Sequence, residues 1–175
     1  VPLPGYIRGR LDEPGDVERY QTVYARAAGS AAAPTAGLHF TDELLSGLAR
    51  RGVTRAEVTL HVGLDTFRPI TVERLDEHPM HTEWCGCPAA TAAAVGATKR
   101  QGGRVVAIGT TSVRTLETAA ARSDGDAIVA WEGPTDLFIR PGHRFQAVDC
   151  LLTNFHMPRT TLMVLVAAFA GRELI

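Results

Sequence analysis

The 175-residue sequence has no apolar run long enough to cross a bilayer. Its longest, LMVLVAAFAG at 162–171, is about half of the roughly 20 residues a spanning helix needs, so a buried core helix is expected there and no membrane partner. Cysteine is scarce. Three cannot all pair, and no basic, apolar and small-residue signal opens the chain, which fits a cytoplasmic, reducing setting better than secretion. The start, VPLPGYI, lacks an initiator Met, as expected of a processed or truncated chain. An excess of one charge is also missing: 18 Lys and Arg face 19 Asp and Glu, so any nucleic-acid partner has to be held by a local patch rather than by the global field. Neither a Walker P-loop nor a G-x-G-x-x-G is present, which argues against an NTPase or a dinucleotide-dependent dehydrogenase. There is no internal repeat.

What is present reads as one globular domain, 1–175, with an extended, proline-bearing approach segment at 1–19. Hydrophobic residues at 45% and charged ones at 21% argue against disorder and fibrous repeats alike. The stretch DVERYQTVYARAAG predicts a short helix stopped by Gly29. Thr41 is placed to cap a helix DELLSGLARR, with Asp42 and Glu43 at its positive end, Leu44, Leu45 and Leu48 on one side, and Gly52 beyond it. AEVTLHVG alternates as a strand should.

Further along, PAATAAAVGATKRQGG predicts a helix, and RVVAIGTTS a buried strand running through a polar turn into a helix VRTLETAAAR. LFIRPGHRF suggests a β-hairpin around Pro141 and Gly142 with a small basic tip at Arg140 and Arg144. DCLLTNFHMPRTTLMVLVAAFAG repeats strand, polar turn and Thr-capped helix. This alternation predicts an α/β fold with a mostly parallel sheet flanked by helices. In such sheets ligands bind beyond the carboxyl ends of the strands, so HVGLDTF, GTTSVR and TNFHMPRTT become candidate site segments.

His39, His61 and His156 each lie beside a turn, and histidines gathered at one rim suit proton transfer near neutral pH, although a lone histidine is more often structural. In AAPTAGLHF, Pro34 and Gly37 fix a close backbone path that delivers His39. GTTSVR offers backbone N–H groups and hydroxyls that suit a carboxylate or phosphate, or simply cap a helix. Arg114 is the nearest cation to that turn, and Glu117 three residues on could simply pair with it. HPMHTEWCGC gathers His78, His81, Glu83, Cys85 and Cys87, but C-x-C without a second pair is unlike a structural zinc pattern, so no metal is expected.

Seven strings, YQTVYA, GSAAAPTAGLHFT, VTLHVG, HPMHTE, RVVAIGTTSVRTLE, TDLFIRPG and TNFHMPRTTL, closely resemble the S-adenosylmethionine:tRNA ribosyltransferase-isomerase family of queuosine biosynthesis. They run in the family's order over nearly the whole chain. The resemblance implies an enzyme that moves the ribosyl part of S-adenosylmethionine onto 7-aminomethyl-7-deazaguanine at the tRNA wobble position, giving epoxyqueuosine and releasing adenine and methionine. S-adenosylmethionine is then a co-substrate, tRNA the partner, and no metal is implied. It also implies a barrel-like α/β domain with a smaller β-rich domain inserted, of which this chain matches the part after the insertion. The family's NNTRV-like N-terminal motif, the insertion and the last C-terminal segment have no counterpart here.

Carried onto these motifs, the catalytic candidates are His39, His61 and His156. Substrate-binding candidates are Thr35, Gly37 and Phe40 in the first, Gly63, Asp65, Thr66 and Phe67 after the strand, and His81 with Glu83 in HPMHTE. Thr110, Thr111 and Arg114 follow in GTTSVR, and Asn154 and Phe155 in TNFH. The chain departs from the family pattern at GLDTF, where Asp65 replaces a glycine. Asp tolerates left-handed backbone better than most residues, so the turn can survive while a new carboxylate joins the rim. Arg159 and Thr160 in MPRTTL depart too, with the capping chemistry kept. Two rival readings remain beside the enzyme: a truncated member that binds tRNA or nucleoside without turnover, and a paralogue with another acceptor.

Overall fold

The computed structural model describes residues 15–63, 66, 68–123, 125 and 127–175. Asp65 and Phe67 lie outside the described residues, as does most of the expected approach segment. Helix α1 (Asp16–Arg19) is short. It ends at Tyr20, whose N–H reaches back to Asp16 O, and Gly29 is not its stop. A 3-10 turn (Thr35–His39) follows, then α2 (Asp42–Arg50), β1 (Thr59–His61), β2 (Glu83–Cys87), α3 (Ala89–Arg100), β3 (Val106–Ile108), α4 (Thr110–Ala121), β4 (Trp131–Thr135), β5 (Cys150–Leu152) and α5 (Thr161–Ala170).

The strands form two small sheets, and neither is closed. Strands β1, β2 and β4 pair antiparallel with β2 in the middle, its Cys85 opposite Leu60 on one side and Gly133 on the other. Strands β3 and β5 make a parallel pair, Ala107 opposite Leu151. The expected α/β class holds, but the mostly parallel, barrel-like sheet does not. The reason lies in EWCGC and WEGPT, where alternate residues are buried (Glu83, Cys85 and Cys87; Gly133 and Thr135) and those between face outward. That is the period-two pattern of a strand in an antiparallel sheet with one covered face. Cys85 and Cys87 are therefore core residues, and burial pushes the Cys87 thiol up to about 11.

The expected hairpin is a turn without strands. His143 N–H bonds Arg140 O at 3.0 Å, with Gly142 at φ 97°. Just beyond it, the amides of Gln146, Ala147 and Val148 converge on the Glu117 carboxylate at 2.9, 3.0 and 3.0 Å.

Helix α4 is the centre of the molecule, packed against β1, β2, β3, β4 and α5. Apart from Arg114 and Glu117 its residues are small, apolar or hydroxyl-bearing, so most of its circumference can be buried, and two of its threonine hydroxyls find partners close by. Thr115 donates to Thr111 O and Thr118 pairs with Thr135 at 2.7 Å. Around it Cys87, Ala92, Val95, Ala107, Val113, Leu116, Ile139 and Leu165 form the core. Thr160 caps α5 through Met163 N, and Thr41 caps α2 through Leu44 N. The two apolar helices are less covered than their sequences suggest. Helix α2 buries no residue, and in α5 only Thr161 and Leu165 are buried, with Ala168 and Phe169 leaning on the core. No helix among the described residues is long and apolar enough to cross a membrane.

Candidate active site

Four segments are laced together around the carboxyl ends of β3 and β5. Gly109 N–H bonds Leu152 O at 2.8 Å, which ties the turn into α4 to the end of β5. Gly109 holds φ 86°, a value glycine adopts without strain, and a Cβ there would lie 3.8 Å from Ala36 of the 3-10 turn. Ala31 N–H bonds Val62 O at 2.8 Å, and the Ser30 hydroxyl bridges Val62 N and Ala32 O, so the chain leading to the 3-10 turn is strapped to the end of β1. Ile70 N–H bonds Arg159 O at 2.7 Å, joining the loop after β1 to the loop before α5. Arg159 holds φ 58°, an uncommon conformation for a residue with a side chain.

His39 closes the 3-10 turn, exposed, with Nε2 at 3.2 Å from Asn154 Oδ1. Thr35 opens the same turn and Phe40 ends it, half-buried. Gly37 sits under the Tyr24 phenol. A Cβ at this position would overlap Tyr24 Oη and stand 2.8 Å from Thr22 Cγ2. The small residue is thus explained by protein packing. Burial raises the Tyr24 phenol above its usual range, with Glu57 adding to the effect.

His156 lies 3.1 Å from Thr153 Oγ1, and burial lowers its pKa, because an imidazolium there would lose hydration. Phe155 beside it projects its whole ring into solvent. His61, at the end of β1, rests against the Trp84 ring at 5.0 Å and fills the space beside Gly29, where a Cβ would stand 3.0 Å from its Nδ1. His39 and His156 flank the end of β5 with Asn154, while His61 packs on the antiparallel sheet.

A second cluster is buried. The Glu83 carboxylate on β2 accepts from Gly63 N at 2.8 Å, from Thr66 Oγ1 at 2.6 Å and from Arg114 Nη1. Thr66 Oγ1 is also 3.0 Å from His81 Nε2. Arg114, one turn into α4, donates through Nε to Leu137 O at 3.3 Å, and its Nη2 is buried without a hydrogen-bond partner among the described residues. Arg114 does not pair with Glu117, because the two carboxylates Glu83 and Glu117 each anchor a different loop. Thr110 is buried at the head of α4 and Thr111 half-buried, its carbonyl taken by Thr115. His78 packs on Phe138, and no three His, Cys, Asp or Glu side chains among the described residues are grouped to hold a metal.

Sequence reasoning named neither Ser30 nor Thr153, and it named Glu117 only as a partner for Arg114. Of the three, Glu117 carried a signal, the one acid in a helix that has to be largely buried.

The polar loops at the ends of the parallel β3–β5 pair stand where ligands bind in α/β folds. The family model described as Queuosine biosynthesis protein matches residues 1–175, and the chain belongs to that family. It is 59% identical over 175 residues to the S-adenosylmethionine:tRNA ribosyltransferase-isomerase of Geobacter sulfurreducens, covering all of this chain and 50% of that protein. It is 55% identical to the protein of the same name in Staphylococcus saprophyticus, with the same coverage. The crystal structure of an S-adenosylmethionine tRNA ribosyltransferase from Thermotoga maritima superposes with a TM-score of 0.62 at 45% identity, over 79% of this chain and 42% of that one. The chain spans about half the length of the curated relatives it matches.

Proposed function

We propose that this chain forms the major part of a catalytic domain that transfers and isomerises the ribosyl group of S-adenosylmethionine onto the aminomethyl group of 7-aminomethyl-7-deazaguanine at the wobble position of a cytoplasmic tRNA. The observation that carries this reading is the stitched rim, where His39 and Asn154, His156 and Thr153, and the turn at Gly109 meet at the ends of β3 and β5.

The chemistry makes two demands on such a rim. The sulfonium acidifies the C5′ hydrogens, so a neutral base must stand beside the sugar, and the acceptor amine must lose a proton before it can attack. His156, kept neutral by partial burial, suits the first demand, and His39 with Asn154 offers hydrogen bonds to ribose hydroxyls. His61 is placed as a supporting residue against Trp84. Asp65 remains the candidate for altering the acceptor, and reverting Asp65→Gly tests that by substrate preference.

The experiment is direct. Protein incubated with S-adenosylmethionine and tRNA bearing the deazaguanine precursor releases adenine and adds mass to the tRNA. In a form with turnover, His156→Gln slows the reaction about a hundredfold. The half-length match to the relatives favours one alternative, a binding module, and tRNA binding without adenine release would establish it instead.

A further inference from the structure

The loop between β5 and α5 displays apolar groups that the transferase reading leaves without a task. The Phe155 ring stands wholly in solvent, and Met157 beside it is largely exposed. Yet the loop is tied down along its length. Leu152 O accepts from Gly109 N at 2.8 Å, Arg159 O from Ile70 N at 2.7 Å, and Met157 O from the Thr160 hydroxyl at 2.8 Å. A large ring on a pinned loop has its backbone ordered without any burial of the ring, and a ligand lying on it would bind a surface already in place.

The charges around the ring say what kind of ligand fits. No Asp or Glu stands between Asp149 and Glu173. Arg159 is exposed, and its guanidinium forms no ion pair among the described residues. An open aromatic face four residues from an unneutralised cation matches a base and its phosphate, whereas a purely apolar partner would leave Arg159 unused. Small-molecule sites are concave, so a ring that projects entirely into solvent suits an unstacked base of a single-stranded RNA loop better than a free nucleoside.

We propose that Phe155 is the stacking platform for a base next to the wobble position in the anticodon loop, and that Arg159 holds a phosphate of the same strand. The inference rests on the transferase reading above, which makes tRNA the substrate.

The test titrates the chain with anticodon stem-loop RNA carrying the deazaguanine precursor, at several salt concentrations. Phe155→Ala and Phe155→Leu weaken binding about tenfold, while Phe155→Trp stays close to the parent. An abasic nucleotide on one side of the wobble position costs the parent a similar factor and costs Phe155→Ala little more. Arg159→Gln reduces the steepness of log affinity against log salt by about one. All four variants melt with the parent, because neither side chain is buried. Unchanged affinity in Phe155→Ala, parent-like binding by Phe155→Leu, or a parent that does not bind the RNA overturns the stacking role. So does a Phe155→Ala protein that melts well below the parent, which would mean that protein covers the ring, or one that raises only the KM for S-adenosylmethionine. An unchanged salt slope in Arg159→Gln overturns the phosphate contact. The expected binding pattern without adenine release in any form of the protein overturns the transferase reading instead, so the two failures are told apart.

Discussion

His39 Nε2 and Asn154 Oδ1 meet at 3.2 Å although 115 positions separate them in the chain. The contact joins the 3-10 turn to the loop after β5, and both residues are polar and reachable from solvent. It is an exposed hydrogen bond, worth at most about 1 kcal/mol net to the fold. Asn154→Ala should therefore leave the urea midpoint nearly unchanged. In the adenine-release assay, by contrast, it should lower kcat/KM about tenfold, and the double variant with His39→Ala should lose little more, because the two act as one unit. A full additive loss would show that they contribute separately.

Gly37 and Tyr24 make a packing prediction. Gly37→Ala forces a methyl against Tyr24 Oη and Thr22 Cγ2, and overpacking of this kind costs about 1–3 kcal/mol. Tyr24→Phe in the same background removes the overlapping oxygen and should recover part of that loss. Chemical denaturation of the four proteins of the cycle measures the coupling. If Gly37→Ala is as stable as the parent, Tyr24 has room to move and the close approach is not what demands glycine.

These two pairs show what was readable from the chain. AAPTAGLHF announced a tight backbone and a delivered histidine, and capping by Thr41 and Thr160 was legible because a cap is a local event within a few residues. The α4 and α5 strand-turn-helix units were legible for the same reason. The antiparallel sheet was not, because β2 hides in a string whose His, Glu and Cys residues draw attention as ligands while their alternation is what matters. Nor was the Glu117 carboxylate's capture of three amides some thirty positions away. Motif membership located Glu83 and Arg114, but only the packing of α4 against β2 shows that they face each other, with His81 half-buried beside them.

Arg114 and Glu83 therefore yield a stability prediction distinct from any effect on turnover. Their side chains are 5% and 2% exposed, so removing one charge strands the other. Arg114→Met should destabilise by about 3–5 kcal/mol. The paired replacement Arg114→Met with Glu83→Gln should recover much of it, since no uncompensated charge is left. Thermal or urea unfolding decides the matter, and equal losses in the single and double variants would mean that the pair contributes by shape rather than charge.

His156 gives the pH dependence. Burial lowers its folded-state pKa below the 6.5 usual for a histidine, so the unfolded chain takes up a proton at a higher pH than the folded one. Wherever the unfolded state binds more protons, stability rises with pH. The contribution of His156 is thus fully present above about pH 6.5, declines as pH falls from there toward the folded-state pKa, and is flat below it. His156→Gln removes the titration. The difference in unfolding free energy between parent and variant, measured at several pH values, should be constant above neutrality and shift against the parent as the solution is acidified through that window. A difference that instead moves in favour of the parent on acidification would mean that the ring binds its proton more tightly in the folded state, with Thr153 accepting from an imidazolium rather than meeting a neutral ring.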